Sequence, residues 1–119
     1  GYYMSPTVIT NVDDSNPVVS KEVFGPVVCA LKFKTTQEVI DRANDSNYGL
    51  AAAVHTTSLT TAMKVSNALD AGTVWINCYN VFDEQMPFGG YKESGYGRDG
   101  GEYAIQEYTQ VKSVLINIE

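Results

Sequence analysis

Few residues in this chain have both the type and the setting to do chemistry. Glu22-Val23-Phe24-Gly25-Pro26 puts a carboxylate two residues from an aromatic ring, between an Asp/Asn turn and an apolar run. A carboxylate can accept hydrogen bonds from both vicinal hydroxyls of a ribose, and a neighbouring ring can pack on a planar heterocycle. A solvated Glu beside a core Phe fits the same residues, so both readings stay open at this point. His55 is the only histidine, and no acid, Ser or Cys stands at a spacing that would make it a relay; it reads as structural. Cys78 has no Lys, Arg or His within five residues to lower its pKa, so it reads as a packed thiol rather than a nucleophile. One His and two separated Cys make no zinc set, and no metal site is expected. Gly95-Tyr96-Gly97-Arg98-Asp99-Gly100 matches G-x-G-x-x-G, but it follows a turn-like stretch rather than a strand. It also leaves no room for a βαβ unit after it, so a structural glycine loop is the better reading.

These residues need a frame, and the pattern supplies one. Residues 3–12 read as a short extended run that ends in the turn Asp13-Asp14-Ser15-Asn16-Pro17. Val27 to Phe33 reads as a strand. Thr35-Thr36-Gln37-Glu38 is a capping box for a helix carrying Val39, Ile40 and Ala43. Asn47-Tyr48-Gly49 is its stop, with Gly49 in the left-handed position. Leu50 to Thr56 is the next strand. Ser58 caps a second helix whose inner face is Leu59, Ala62, Met63, Ser66 and Leu69, and Gly72 ends it. Thr73 to Asn77 is a third strand. The order predicts an α/β fold, βαβαβ, with its strands parallel in one sheet. A glycine-rich loop over 78–101, a short helix over 102–108 and an apolar terminal strand over 110–118 follow. That last strand needs an edge from elsewhere in the protein or from another subunit.

Composition excludes several classes. The chain has 119 residues, a net charge of −6 and 44% apolar residues. Its eight basic residues form no run, which argues against a nucleic-acid surface. No apolar stretch has the length of a membrane span, and no leader is visible at the first residues. The chain starts at Gly1 without an initiator Met, which reads as an internal start. Cys29 and Cys78 are expected as buried free thiols in a reducing compartment.

Four segments in register resemble the aldehyde dehydrogenase family. Glu22-Val23-Phe24-Gly25-Pro26 is similar to its E-x-F-G-P signature. Residues 72–77 (GTVWIN) and 87–95 (PFGGYKESG) are similar to two further blocks, and Asn47-Tyr48-Gly49-Leu50-Ala51-Ala52 to a fourth. The resemblance runs over the whole chain and is nearest to the cytosolic and mitochondrial class that oxidises acetaldehyde, retinal and similar aldehydes.

The resemblance implies an NAD-dependent oxidoreductase, or one using NADP, that converts aldehydes to carboxylic acids. Glu22 would hold the nicotinamide ribose and Phe24 would pack beside the nicotinamide. Phe82 and Phe88 would line the aldehyde tunnel, with Asn80 near its mouth. Residues 1–93 would be the C-terminal part of the catalytic domain. Residues 94–108 would be a glycine-rich loop and short helix returning towards the cofactor domain, and 109–119 an oligomerisation strand. Partners would be the aldehyde, the rest of the polypeptide and sister subunits of a homodimer or homotetramer, in the cytoplasm or mitochondrial matrix. The family's nucleophilic Cys, its general-base Glu and its oxyanion-hole Asn all lie upstream of this segment. The reaction would run through a cysteine thiohemiacetal formed there, with oxyanion stabilisation, hydride transfer and hydrolysis by an activated water. Cys78 does not match the nucleophile, so no catalytic residue is expected here and the segment alone is expected to be inactive. A crystallin-like relative that kept the fold without the catalysis is the competing reading. A free-standing binding module is disfavoured by the orphan terminal strand.

Overall fold

A computed structural model describes residues 1–119. The chain forms two compact units, Gly1–Arg42 and Ala43–Glu119.

In the first unit, β1 (Thr7–Thr10) pairs in parallel with β2 (Val27–Ala30), in the register Val8↔Val28 and Ile9↔Cys29. Alternation puts Thr7, Ile9, Val27 and Cys29 on the covered face and leaves Val8 and Val28 exposed on the other. Parallel strands are ordinarily covered on both faces, so the bare valines are unusual. Between the strands lies a helical turn, α1 (Pro17–Ser20), which the sequence reading did not anticipate. Its signals were present: Asn16 accepts a hydrogen bond from Val18 N–H at 3.0 Å, and Pro17 opens the turn with its φ already set. α2 (Thr36–Asn44) begins as its capping box predicts. Glu38 N–H donates to Thr35 Oγ1 at 3.1 Å. The return bond goes one residue further back than expected, from Lys34 N–H to Glu38 Oε2 at 2.8 Å.

In the second unit, β3 (Tyr48–Gly49) is followed by β4 (Ala51–Val54), α3 (Leu59–Ala68) and β5 (Thr73–Ile76). β4 and β5 are parallel, and α3 packs on both, which is a βαβ unit. Ser58 caps α3 by accepting from Thr61 N–H at 3.2 Å. Of the expected stripe, Ala62 is buried and Ser66 and Leu69 are half-buried, but Leu59 and Met63 are exposed, and Val65 from outside the stripe is buried. The helix is therefore rotated from the reading that Leu and Met suggested. Trp75 on β5 completes this core. Beyond it, β6 (Tyr91–Lys92) pairs antiparallel with β3, and α4 (Tyr103–Glu107) is the expected short helix.

The single βαβαβ sheet does not form. β2 takes β1 as its partner, β4 takes β5, and β3 with β6 makes a third ladder. Gly49 is likewise not a left-handed helix stop. It lies in β3, where a side chain would collide with the Asp70 carbonyl. Residues 109–119 carry no ladder, and Val111, Leu115 and Ile118 are almost fully exposed. A lone strand has nothing to bond within this chain, so the apolar alternation stays unpaired.

Candidate functional site

Glu22 and Phe24 stand in the bend between α1 and β2. Lys21 N–H closes α1 onto Pro17 O at 2.9 Å, and Thr7 N–H takes Pro26 O at 2.8 Å at the start of the ladder. Between these two ties the chain arches out. Phe24 is 97% exposed, and Glu22 is exposed and takes part in none of the three ion pairs. A carboxylate can accept from both hydroxyls of a diol, and a bare ring can pack on a flat heterocycle.

The turn that precedes this arch is fixed by an ionic cluster. Arg42 on α2 grips Asp14 with two parallel bonds, Nε to Oδ2 and Nη2 to Oδ1, each 2.8 Å. Its Nη1 also donates to Lys32 O at 2.8 Å and to Glu38 at 3.3 Å. The guanidinium holds the Asp14 carboxyl below its ordinary pKa, chiefly by hydrogen bonding. Glu38 is lowered first by the Lys34 N–H bond and further by Arg42. The Arg42 guanidinium is raised in turn, chiefly by its bonds to Asp14.

In the second unit the aromatic residues form a chain. Trp75 meets Phe82 edge to face at 5.7 Å, and Phe82 meets Phe88 at 5.1 Å between centroids. The loop that carries Phe82 is tied back where Trp75 Nε1–H donates to Val81 O at 2.8 Å. Asn80 is exposed, in the left-handed conformation at φ 58. Phe82 and Phe88, with Met86 and Pro87, wall a cleft of about 240 Å³. Thr73 also lines it, and Thr73 Oγ1 is buried without a hydrogen-bond partner. Thus Phe82 and Phe88 meet, with Asn80 on the same loop, while Glu22 and Phe24 belong to the other unit.

The glycine-rich stretch is a tied loop. Phe88 and Asp99 exchange backbone bonds of 2.7 and 2.8 Å across its base. Inside it, Arg98 donates to Gly90 O and Gly97 O and lies 5.4 Å from the Tyr91 ring centroid. Gly95, Gly97 and Gly100 all have positive φ, the conformation that a structural glycine loop requires. Lys92 anchors the far side. Its Nζ donates to Asn44 O at 2.7 Å, at the last residue of α2, and to Ser46 O at 3.1 Å just beyond it. Sequence reasoning missed Arg42, Lys92 and Arg98: most of their partners lie far along the chain or on the backbone, while the Glu38–Arg42 pair at i,i+4 was a local signal that could have been read.

The thiols and the histidine remain apart from these clusters. Cys29 and Cys78 are free and only half-buried, which corrects the expectation of burial; Cys29 Sγ donates to Val18 O at 3.5 Å. His55 is exposed just past β4. No helix is long and apolar enough to cross a membrane.

Comparison with known proteins agrees with the motifs. Residues 1–114 match the model of the aldehyde dehydrogenase family. A mitochondrial aldehyde dehydrogenase of Equus caballus is 58% identical over 118 residues, 99% of this chain and 24% of that protein. A putative aldehyde dehydrogenase of Bacillus subtilis is 53% identical over 119 residues, with 100% and 24% covered. Among solved structures, the NAD+ complex of aldehyde dehydrogenase from Bacillus cereus superposes with a TM-score of 0.94 at 55% identity. It covers 100% of this chain and 24% of that one. The chain thus spans about a quarter of the length of the relatives it matches.

Proposed function

The chain belongs to the aldehyde dehydrogenase family, and from that premise we propose that it supplies the nicotinamide grip and one tunnel wall of an enzyme oxidising aldehydes to carboxylic acids. Bound NAD would accept the hydride. Glu22 accepts hydrogen bonds from the nicotinamide ribose hydroxyls and so fixes the sugar, while Phe24 packs beside the ring and shields it from water. Phe82 and Phe88 present an apolar wall to the aldehyde, and Asn80 stands at the tunnel mouth. Correct placement of the reacting carbons is worth several orders of magnitude in rate, which is the service these side chains render.

The observation that carries this reading is the pair at the arch: an aromatic ring 97% exposed beside an exposed carboxylate outside the chain's ion pairs. The similarity to an NAD+ complex supports NAD as the cofactor. The thiol nucleophile and the general base would come from other parts of the complete polypeptide, so these 119 residues alone do not turn aldehyde over. Residues 109–119 would complete a sheet edge of a sister subunit in a homodimer or homotetramer. The enzyme would work in the cytoplasm or the mitochondrial matrix.

The test uses the complete polypeptide. Aldehyde-dependent formation of NADH is followed by absorbance, first in steady state and then in a single turnover. Glu22→Gln should slow the single-turnover hydride transfer. An unchanged single-turnover rate would remove Glu22 from the cofactor site.

A further inference from the structure

We infer that Arg42 is a positioning residue for the cofactor grip, setting the stance of Glu22 and Phe24 through its two-pronged bond to Asp14. The inference rests on the nicotinamide reading of Glu22 and Phe24 and adds how that arch is held.

The arch has two roots. One is the β1–β2 ladder, where Thr7 N–H bonds Pro26 O. The other is the turn over 13–16, where Asn16 N–H bonds Asp13 O at 3.0 Å and the Asn16 side chain starts α1. From α1 the chain passes directly into Lys21 and Glu22. The first root is a regular ladder. The second touches the sheet only through the weak bond from Cys29 Sγ to Val18 O on α1, and the turn's side-chain anchor to more distant sequence is the Asp14 carboxylate on Arg42, 28 residues away. A guanidinium fork on a carboxylate fixes angle as well as distance, which a lysine cannot do. The third nitrogen of the guanidinium is committed to Lys32 O and Glu38, so the fork cannot swing away. The fork therefore pins the turn that starts α1 onto α2, and α1 delivers Glu22.

A stability role alone would lower the melting temperature and leave cofactor recognition intact. A positioning role separates the kinetic constants. In the complete enzyme, Arg42→Met, Arg42→Lys and Asp14→Asn should each raise KM for NAD by about threefold or more, a size typical of coupled contact pairs. KM for the aldehyde should stay within about twofold. The double variant Arg42→Met/Asp14→Asn should be no worse than either single variant, because both remove the same tie. Arg42→Lys and Asp14→Asn keep the test alive if Arg42→Met does not fold. Unchanged KM for NAD in the folded variants, with only a lowered melting temperature, overturns the inference. So does a double variant whose effect is the product of the single ones. Glu22→Gln, measured in parallel, separates the two claims. If it raises KM for NAD and the Arg42 variants do not, the positioning role alone fails. If it changes neither KM nor hydride transfer, the reading of the arch fails first.

Discussion

Gly72 and Gly89 meet backbone to backbone: a Cβ at Gly72 would overlap the carbonyl oxygen of Gly89. The contact joins the start of β5 to the residue after Phe88, so the place of the Phe88 phenyl is set partly by two absent side chains. A flexible side chain could give way to a methyl group, but a carbonyl held in a tied loop cannot.

Gly72→Ala should therefore destabilise the protein by about 2–3 kcal/mol, the upper range for overpacking. Gly25→Ala is the matched control, because a Cβ there meets nothing within 4 Å. Its effect should stay within about 0.5 kcal/mol. Denaturant midpoints of the two variants check this. Equal midpoints would show that the loop yields.

Thr73→Val removes a buried hydroxyl that has no partner in this chain. Replacing an unsatisfied polar group by a methyl of similar shape is neutral or stabilising, by up to about 1 kcal/mol. The melting temperature of the complete enzyme should hold or rise. A clear fall would mean that another part of the polypeptide bonds the hydroxyl.

Trp75→Phe keeps a ring in the core but loses the bond to Val81 O. The cost should be about 1–2 kcal/mol, including the carbonyl left without its donor. Because Val81 precedes Phe82, KM for an aromatic aldehyde should rise as well. A thermal shift with no change in that KM would separate the loop tie from the tunnel wall.

The ionic cluster predicts an acid dependence. Asp14 and Glu38 both have folded pKa values lowered from 3.8 and 4.5. A lowered carboxylate contributes stability above its unfolded pKa and loses it as pH falls through the folded value. The difference in urea midpoint between wild type and Arg42→Met should thus be constant above about pH 5 and shrink below about pH 4. A difference that persists unchanged at pH 2 would place the effect of Arg42 in packing rather than charge.

Local signals in this sequence translate directly into structure. Thr35 and Glu38 announce α2, Ser58 announces α3, and the β4–α3–β5 unit follows from spacing. The failures come from information that a local reading does not hold. Leu59 and Met63 look like part of the core stripe with Ala62, yet it is Val65 that is buried beside Ala62. β2 pairs with β1 rather than β4, a choice made by a neighbour twenty residues upstream. Arg42 reaches Asp14 28 residues away and Lys92 reaches backbone carbonyls 46 and 48 residues away, which no spacing rule encodes, although the Glu38–Arg42 pair at i,i+4 was open to one. Motif and resemblance point to Glu22, Phe24, Phe82 and Phe88, but the exposure of the first pair and the contact of the second depend on packing that neither encodes.

The unpaired segment after α4 has a cost during biosynthesis. Ser113-Val114-Leu115-Ile116-Asn117-Ile118 combines β-branched residues, no proline and no charge within the stretch. Such a hexapeptide with its backbone unbonded is a template for cross-β stacking. Lys112 and Glu119 flank it as gatekeeping charges. Expression at high concentration should therefore favour inclusion bodies, and charge-neutral substitutions at Lys112 and Glu119 should enlarge that insoluble fraction without touching any folded contact.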